Sequence, residues 1–148
     1  MQQLMQQATQ CGLLLALVLS GPTLAQTAFL DKREFSAKSG LVRIKLGVSH
    51  SRQEPVELSV RLKGAGKNAE TPGEIISEGV SITPSRFKLP PNKVRRLLIS
   101  FQSTATTRTP YFACVIYQPP VERMDRNGLA GGSMLLATES CSRFWVIP

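Results

Sequence analysis

Two short stretches of this 148-residue chain indicate its fold: VRIKLGV at residues 42–48 and VELSVRL at residues 56–62. In each stretch an apolar side chain alternates with a charged residue, a polar residue or a glycine. Successive side chains of a β-strand point to opposite faces of a sheet, so this period of two gives each segment one apolar face. Both stretches are predicted to be strands, either paired antiparallel or facing each other across a sandwich.

Similar short segments follow along the rest of the chain, separated by polar stretches that contain proline and glycine. Residues 64–73, 104–110 and 121–132 read as loops, and no amphipathic helix of useful length is present. Seven alternating strands in about 110 residues are typical of an all-β, immunoglobulin-like β-sandwich. Besides the two stretches above, the predicted strands cover residues 29–35, 80–83, 94–101, 111–117 and 133–147.

The N-terminus has the pattern of a secretory signal. Residues 12–19 are a short apolar run, Gly21-Pro22 interrupts it, and the small residues that a signal peptidase needs end at Ala25. A bilayer span takes roughly 20 apolar residues, so this run is too short to cross one. We therefore predict a signal peptide over residues 1–25 and one mature domain over 26–148, with no stable membrane insertion after cleavage. The alternative is a short buried helix, since the first residues carry Gln in place of Lys or Arg.

Composition argues against most catalytic and metal-binding chemistry. The chain has one His and three Cys, too few for a His-rich metal centre or a tetrathiolate zinc site. His50 lies in a polar turn without an orienting partner in sequence, so we expect a surface side chain there. The glycines of residues 64–68 lack the spacing of a phosphate-binding loop. We predict no enzymatic activity, no metal and no cofactor.

The chain is basic, with 18 Lys and Arg against 10 Asp and Glu and a formal net charge of +8. Five cations surround the Pro90-Pro91 turn, and they form either a solvated face or a contact for an acidic partner or membrane surface. Nucleic acid is not an expected partner of an exported protein with few aromatic side chains to stack on bases. The five are Arg86, Lys88, Lys93, Arg95 and Arg96.

Export also determines which cysteines remain in the mature chain and whether they are expected to form a disulfide. Cys11 leaves with the signal peptide, and Cys114 and Cys141 remain in the mature chain. An even number of cysteines in an oxidising compartment predicts one disulfide, and two separate buried thiols are the alternative.

Several of these segments, in this order, resemble the periplasmic pilus chaperones of the PapD-like family. Residues 80–92, VSITPSRFKLPPN, are similar to that family's "isP…f.LpPg" stretch. YFACVIY at 111–117, followed by Gln-Pro-Pro, resembles its strand F, and RFWVIP at 143–148 resembles the end of its strand G. Leu30-Asp31-Lys32-Arg33 resembles the start of its strand A. The similarity covers about residues 28–148.

The resemblance implies a periplasmic chaperone for pilus or fimbrial subunits, with an outer-membrane usher as a further candidate partner. In that family the chaperone lends its strand G to a subunit that lacks its last strand. Family members also have a second sandwich domain, and the resemblance leads us to expect none after residue 148, where that domain would begin. The resemblance thus implies a pilus chaperone that is either a one-domain version or a truncated product, and the alternative is a free-standing secreted immunoglobulin-like binding module.

The resemblance also assigns residues. Counting back from Pro148 places Arg143 where the family has a strand-G lysine that holds the subunit's C-terminal carboxylate, and arginine can hold a carboxylate in a bidentate fork. The donor side chains then fall at alternate positions: Met134, Leu136 and Thr138.

The second carboxylate anchor is less directly placed. Ungapped counting from Leu30-Asp31 puts the strand-A arginine on Glu34, a shift of one residue gives Arg33, and Lys32 is the neighbouring cation. We assign Arg33. The cysteines fit the resemblance too, because some members join strands F and G by a disulfide.

Overall fold

The computed structural model describes residues 26–119 and 137–148, and every regular element in these ranges is a β-strand. The strands are β1 (Gln26–Leu30), β2 (Glu34–Ser36), β3 (Leu41–His50), β4 (Val56–Ala65), β5 (Pro72–Ile76), β6 (Val80–Thr83), β7 (Arg86–Leu89), β8 (Arg95–Gln102), β9 (Thr109–Tyr117) and β10 (Thr138–Ile147). A search of the described residues finds no apolar helix of membrane-spanning length.

The strands form two sheets packed as a sandwich. One sheet has the order β1-β3-β8-β6, and the other has the order β2-β10-β9-β4-β5, with β7 also paired to β4. The all-β sandwich prediction is confirmed. The two stretches that indicated the fold are β3 and β4, which belong to different sheets and bury their apolar side chains in the same core.

The number of strands differs from the seven predicted, because the described residues contain ten. The predicted first strand, 29–35, is divided into β1 and β2, and β7 is an additional short strand. The predicted loop at 64–73 is partly sheet, since Ala65 pairs with Pro72. Gly73 permits this pairing because a Cβ there would lie 2.4 Å from the carbonyl oxygen of Ala65.

The apolar side chains of the alternating pattern fill the core. Val42, Ile44, Leu46 and Val48 of β3 are completely buried, and Leu58 and Leu62 of β4 are 1% and 0% exposed. The ring of Phe144, on β10, packs against the rings of Phe35, Phe101 and Tyr111 at centroid distances of 5.6, 6.3 and 5.9 Å.

The first strand changes sheets, and this leaves two borders partly open. β1 pairs antiparallel with residues 46–50 of β3, the chain bends at residues 31–33, and β2 then pairs parallel with residues 145–147 of β10. Within the described ranges, residues 42–45 of β3 and 138–144 of β10 therefore have no strand partner on that side. We call these the β3 border and the β10 border.

His50 corrects a prediction, because its side chain is 6% exposed and does not lie on the surface. The alternation of β3 continues through residue 50, so the even-numbered positions face the interior. Nε2 donates to the carbonyl oxygens of Leu89 at 2.9 Å and Pro90 at 3.1 Å, and Nδ1 accepts from the backbone N–H of Arg52 at 3.2 Å. His50 thus fastens the end of β3 to the Pro90 turn.

Candidate functional site

The orientation of the β10 main chain follows from its pairing with β9. Cys141 lies directly opposite Cys114, and their Cα atoms are 4.0 Å apart, a spacing typical of a non-hydrogen-bonded antiparallel pair. Odd-numbered residues of β10 therefore direct N–H and C=O away from β9. Two bonds on the β2 side agree: the Trp145 N–H donates to the Arg33 carbonyl at 2.8 Å, and the Ile147 carbonyl accepts from the Ala37 N–H at 3.1 Å.

The same alternation applies to the part of β10 that β2 does not cover. There the N–H and C=O groups of Glu139, Cys141 and Arg143 point to the β10 border. A row of unpaired main-chain donors and acceptors is a template on which another extended segment can add as a strand.

A disulfide between Cys114 and Cys141 joins β9 to β10, as the sequence predicts. It fixes one side of β10 to the sheet and leaves the opposite border as the accessible one. In the described part of the chain, these two cysteines and Glu139 are the one group with metal-ligand spacing. Both sulfur atoms are bonded to each other, so neither is a thiolate that could bind a metal.

Arg33 and Arg143, the two predicted carboxylate anchors, line one cleft beside the β10 border. The cleft has a volume of about 290 Å³. Neither Lys32 nor Glu34 contributes to it, so of the three candidates only Arg33 shares a cleft with Arg143. Its other lining residues are Ala28, Phe29, Leu30, Cys141 and Ser142.

Glu34 has a different partner. Its carboxylate accepts two hydrogen bonds from the guanidinium of Arg108, at 2.6 and 2.9 Å. That guanidinium also lies 3.9 Å from the ring centroid of Trp145. Arg108 comes from a segment predicted only as a loop, and sequence spacing gave no signal that it would meet β2 and β10.

Arg143 also contacts the loop between β4 and β5. Its Nη1 donates to the Ala69 carbonyl at 3.1 Å and lies 3.6 Å from the Glu70 carboxylate, with the Arg143 side chain 33% exposed. Asn68 shapes this loop, because its Oδ1 accepts from the backbone N–H groups of Glu70 at 3.0 Å and Thr71 at 3.1 Å. Arg143 therefore already has a carboxylate of its own chain nearby, which the sequence did not reveal.

The predicted donor residues are only partly within the described structure. Met134 and Leu136 lie outside the described residues. Thr138 begins β10, and its hydroxyl donates to Oε1 of Gln26 at 2.9 Å, while Nε2 of Gln26 donates to the Thr138 carbonyl at 2.6 Å. The Ser142 hydroxyl donates to the Ala28 carbonyl at 2.5 Å. Small polar side chains thus tie this part of β10 to β1.

Comparison with known proteins gives a match in structure and none in sequence: no family model and no curated protein matches this chain. The Escherichia coli chaperone DraB aligns with a TM-score of 0.56 at 17% identity, over 84% of this chain and 56% of DraB. The Pseudomonas aeruginosa CupB2 chaperone aligns with a TM-score of 0.55 at 17% identity, over 82% of this chain and 55% of CupB2.

The chain has the fold of a PapD-like N-terminal domain. It spans little more than half the length of DraB and CupB2. The fold is not confined to bacterial chaperones, because the ASH / PapD-like domain 7 of human CEP192 aligns with a TM-score of 0.51 at 9% identity. That alignment covers 95% of this chain and 96% of the CEP192 domain. The fold alone therefore does not determine the function.

Proposed function

We propose that this PapD-like protein is a periplasmic chaperone that binds pilus or fimbrial subunits and completes their sheets by strand donation. The observation that carries the proposal is the β10 border, where the main chain of residues 139, 141 and 143 lies unpaired beside a cleft lined by Arg33 and Arg143. DraB and CupB2, which share the fold, are chaperones, and another solved relative is a chaperone–tip adhesion subunit complex.

The physical basis is complementarity between two incomplete edges. A subunit that lacks its last strand exposes core side chains and an unpaired strand edge, which makes it prone to aggregate. Pairing that edge with the β10 border satisfies main-chain donors and acceptors on both proteins. The cleft would hold the subunit's C-terminal carboxylate, since two guanidinium groups can make charge-assisted hydrogen bonds to it and so fix the register.

The donor side chains remain those assigned from the resemblance, Met134, Leu136 and Thr138. Their roles differ within the proposal. Thr138 is held by Gln26 of its own domain, so the apolar contribution to a subunit's groove falls to Met134 and Leu136, before β10 begins. Subunit binding then combines an apolar insertion at one end with carboxylate recognition at the other.

Export to the periplasm belongs to the same proposal, with residues 1–25 as the signal peptide outside the described structure. The Cys114–Cys141 disulfide supports this, because structural disulfides form and persist in oxidising compartments. An outer-membrane usher is the proposed receiver of the bound subunit.

Co-expression in a periplasm tests the proposal. Candidate pilus subunits from the same genome are expressed with the wild-type chain, with Arg143→Ala, and with Arg61→Ala, a matched control on the exposed side of β4. We expect the wild-type and control chains to keep a subunit soluble and Arg143→Ala to lose most of that effect. Failure of every subunit to be rescued, together with capture of a non-pilin protein, would favour the free-standing binding module instead.

A further inference from the structure

The β3 border is a second place where the main chain is open. Leu41 exchanges two hydrogen bonds with Lys38, at 3.0 and 3.1 Å, while the Gly40 carbonyl accepts from the Ser103 N–H on the β8 side at 2.7 Å. Odd-numbered residues of β3 therefore direct their backbone N–H and C=O groups away from β8. Arg43 is the next odd position, and no described strand pairs with it on that side.

The charged side chains along this border are all positive. Arg43 and Lys45 are exposed and alternate with the buried Ile44 and Leu46. The four strands of this sheet contain no Asp or Glu at all. Arg43 and Lys45 make no ion pair within residues 26–119 and 137–148, whereas Arg96 lies 3.4 Å from Asp31.

A cleft adjoins the border where β2 and β3 belong to different sheets. Its volume is about 410 Å³. Phe35 and Leu41 supply apolar surface, three cations surround it, and no carboxylate lines it. The full lining is Lys32, Phe35, Ser36, Lys38, Leu41 and Arg43. The turn from Lys38 to Leu41 is fixed by positive φ angles of 54° at Ser39 and 78° at Gly40, so the cleft has a defined wall.

We propose that the β3 border is a docking site for an extended acidic segment of a partner protein. The segment adds as a strand beside residues 42–45, places carboxylates against Lys38, Arg43 and Lys45, and inserts an aliphatic side chain into the cleft. A second copy of this chain does not fit, because pairing two β3 borders sets their cations against each other. The surface is concave and its donors lie along a strand, which suits a peptide better than a planar membrane.

A synthetic peptide of alternating glutamate and valine tests the site, acetylated and amidated so that it has no terminal carboxylate for the Arg33–Arg143 cleft. Binding to the full disulfide-bonded chain is measured by fluorescence anisotropy. We expect Arg43→Glu/Lys45→Glu to weaken binding about tenfold or more, since two attractions become repulsions. Lys88→Glu/Lys93→Glu has the same net charge change away from the border and should leave affinity within about twofold.

The main-chain part of the proposal has its own control. A peptide methylated on alternate backbone nitrogens keeps its charge and loses the donors that a strand needs, so it should not bind. The Arg43 amide should exchange more slowly with the parent peptide bound. Any of three results would overturn the proposal. The methylated peptide could bind as tightly as the parent peptide, or both double variants could lose the same amount of affinity. The chain could also bind anionic phospholipid vesicles and not the peptide.

Arg143→Ala separates this site from the proposed chaperone function. The variant should bind the amidated peptide normally, whether or not the chain proves to be a chaperone. If Arg143→Ala lost as much affinity for the peptide as Arg43→Glu/Lys45→Glu does, the peptide would bind at the β10 border, which would count against the β3 site.

Discussion

The β10 and β3 borders have the same origin and different chemistry. Both are open because the first strand pairs with β3 over residues 46–50 and with β10 over residues 145–147. Along β10 the charges are balanced, since Glu139 pairs with Lys63 at 2.8 Å and Arg143 lies near Glu70 at 3.6 Å. Along β3 the charges are all positive. The strand switch thus makes main chain available, and the side chains determine which partner can use it.

The largest expected effect comes from removing the anchor that holds β2 in place. Phe35 is 7% exposed and packs edge-on against Phe144. Phe35→Ala should lower the free energy of unfolding by about 3–5 kcal/mol, because the three-residue β2 has little else to bury. Urea unfolding measures this. Phe29→Ala removes a half-buried ring that lies over Gly47, and it should lower the free energy of unfolding clearly less than Phe35→Ala does. Equal decreases would show that β1 and β2 are anchored equally strongly.

Loss of the disulfide should have the next largest effect. It links residues 27 apart in sequence, and replacing Cys114 and Cys141 by Ala should reduce stability by about 2–4 kcal/mol. The reason is that the cross-link restricts the unfolded chain and holds β10 against β9. Unfolding of the oxidised wild type and the double variant in urea provides the measurement. If reduction of the wild type with dithiothreitol left its midpoint unchanged, this stabilisation would be absent.

Arg143→Ala should weaken binding of a pilus subunit recovered by co-expression by about 1.5–3 kcal/mol, the usual contribution of a hydrogen bond to a charged group. That is roughly 10–150-fold in the dissociation constant, measurable by calorimetry. Amidating the subunit's C-terminus should cost a similar amount, and the two changes together should cost less than their sum. Additive losses would mean that Arg143 does not meet that carboxylate.

The smallest expected effect is an increase in affinity for a pilus subunit. Glu70 lies 3.6 Å from Arg143 and is 80% exposed, so it competes only weakly with a subunit's carboxylate. Glu70→Gln should therefore tighten subunit binding by about twofold to fivefold, corresponding to an exposed ion pair. Glu74→Gln, at an exposed position of β5, removes the same charge without contacting Arg143 and should have no effect. A gain in both variants would indicate a general charge effect.

The sequence predicted the features that depend on local pattern. The period of two located β3, β4 and β8, and a continuous apolar run that ends before Pro119 located β9. The even number of cysteines in the mature chain predicted the Cys114–Cys141 disulfide. The sequence did not predict that the His50 side chain is buried, because a polar residue at the end of a strand cannot be distinguished by pattern from the first residue of a loop. It also missed Glu70 beside Arg143, since that contact depends on how the β4–β5 loop folds toward β10 and on no residue spacing.

Amide hydrogen exchange along β10 tests the central claim most directly. In the free chain, the amides of Glu139, Cys141 and Arg143 should exchange fast, while those of Ser140, Ser142 and Phe144, which point to β9, should exchange slowly. Adding a bound pilus subunit should slow the first set and leave the second unchanged. If residues 139, 141 and 143 are already protected in the free chain, or stay unprotected in the complex, the β10 border does not serve as the lent strand.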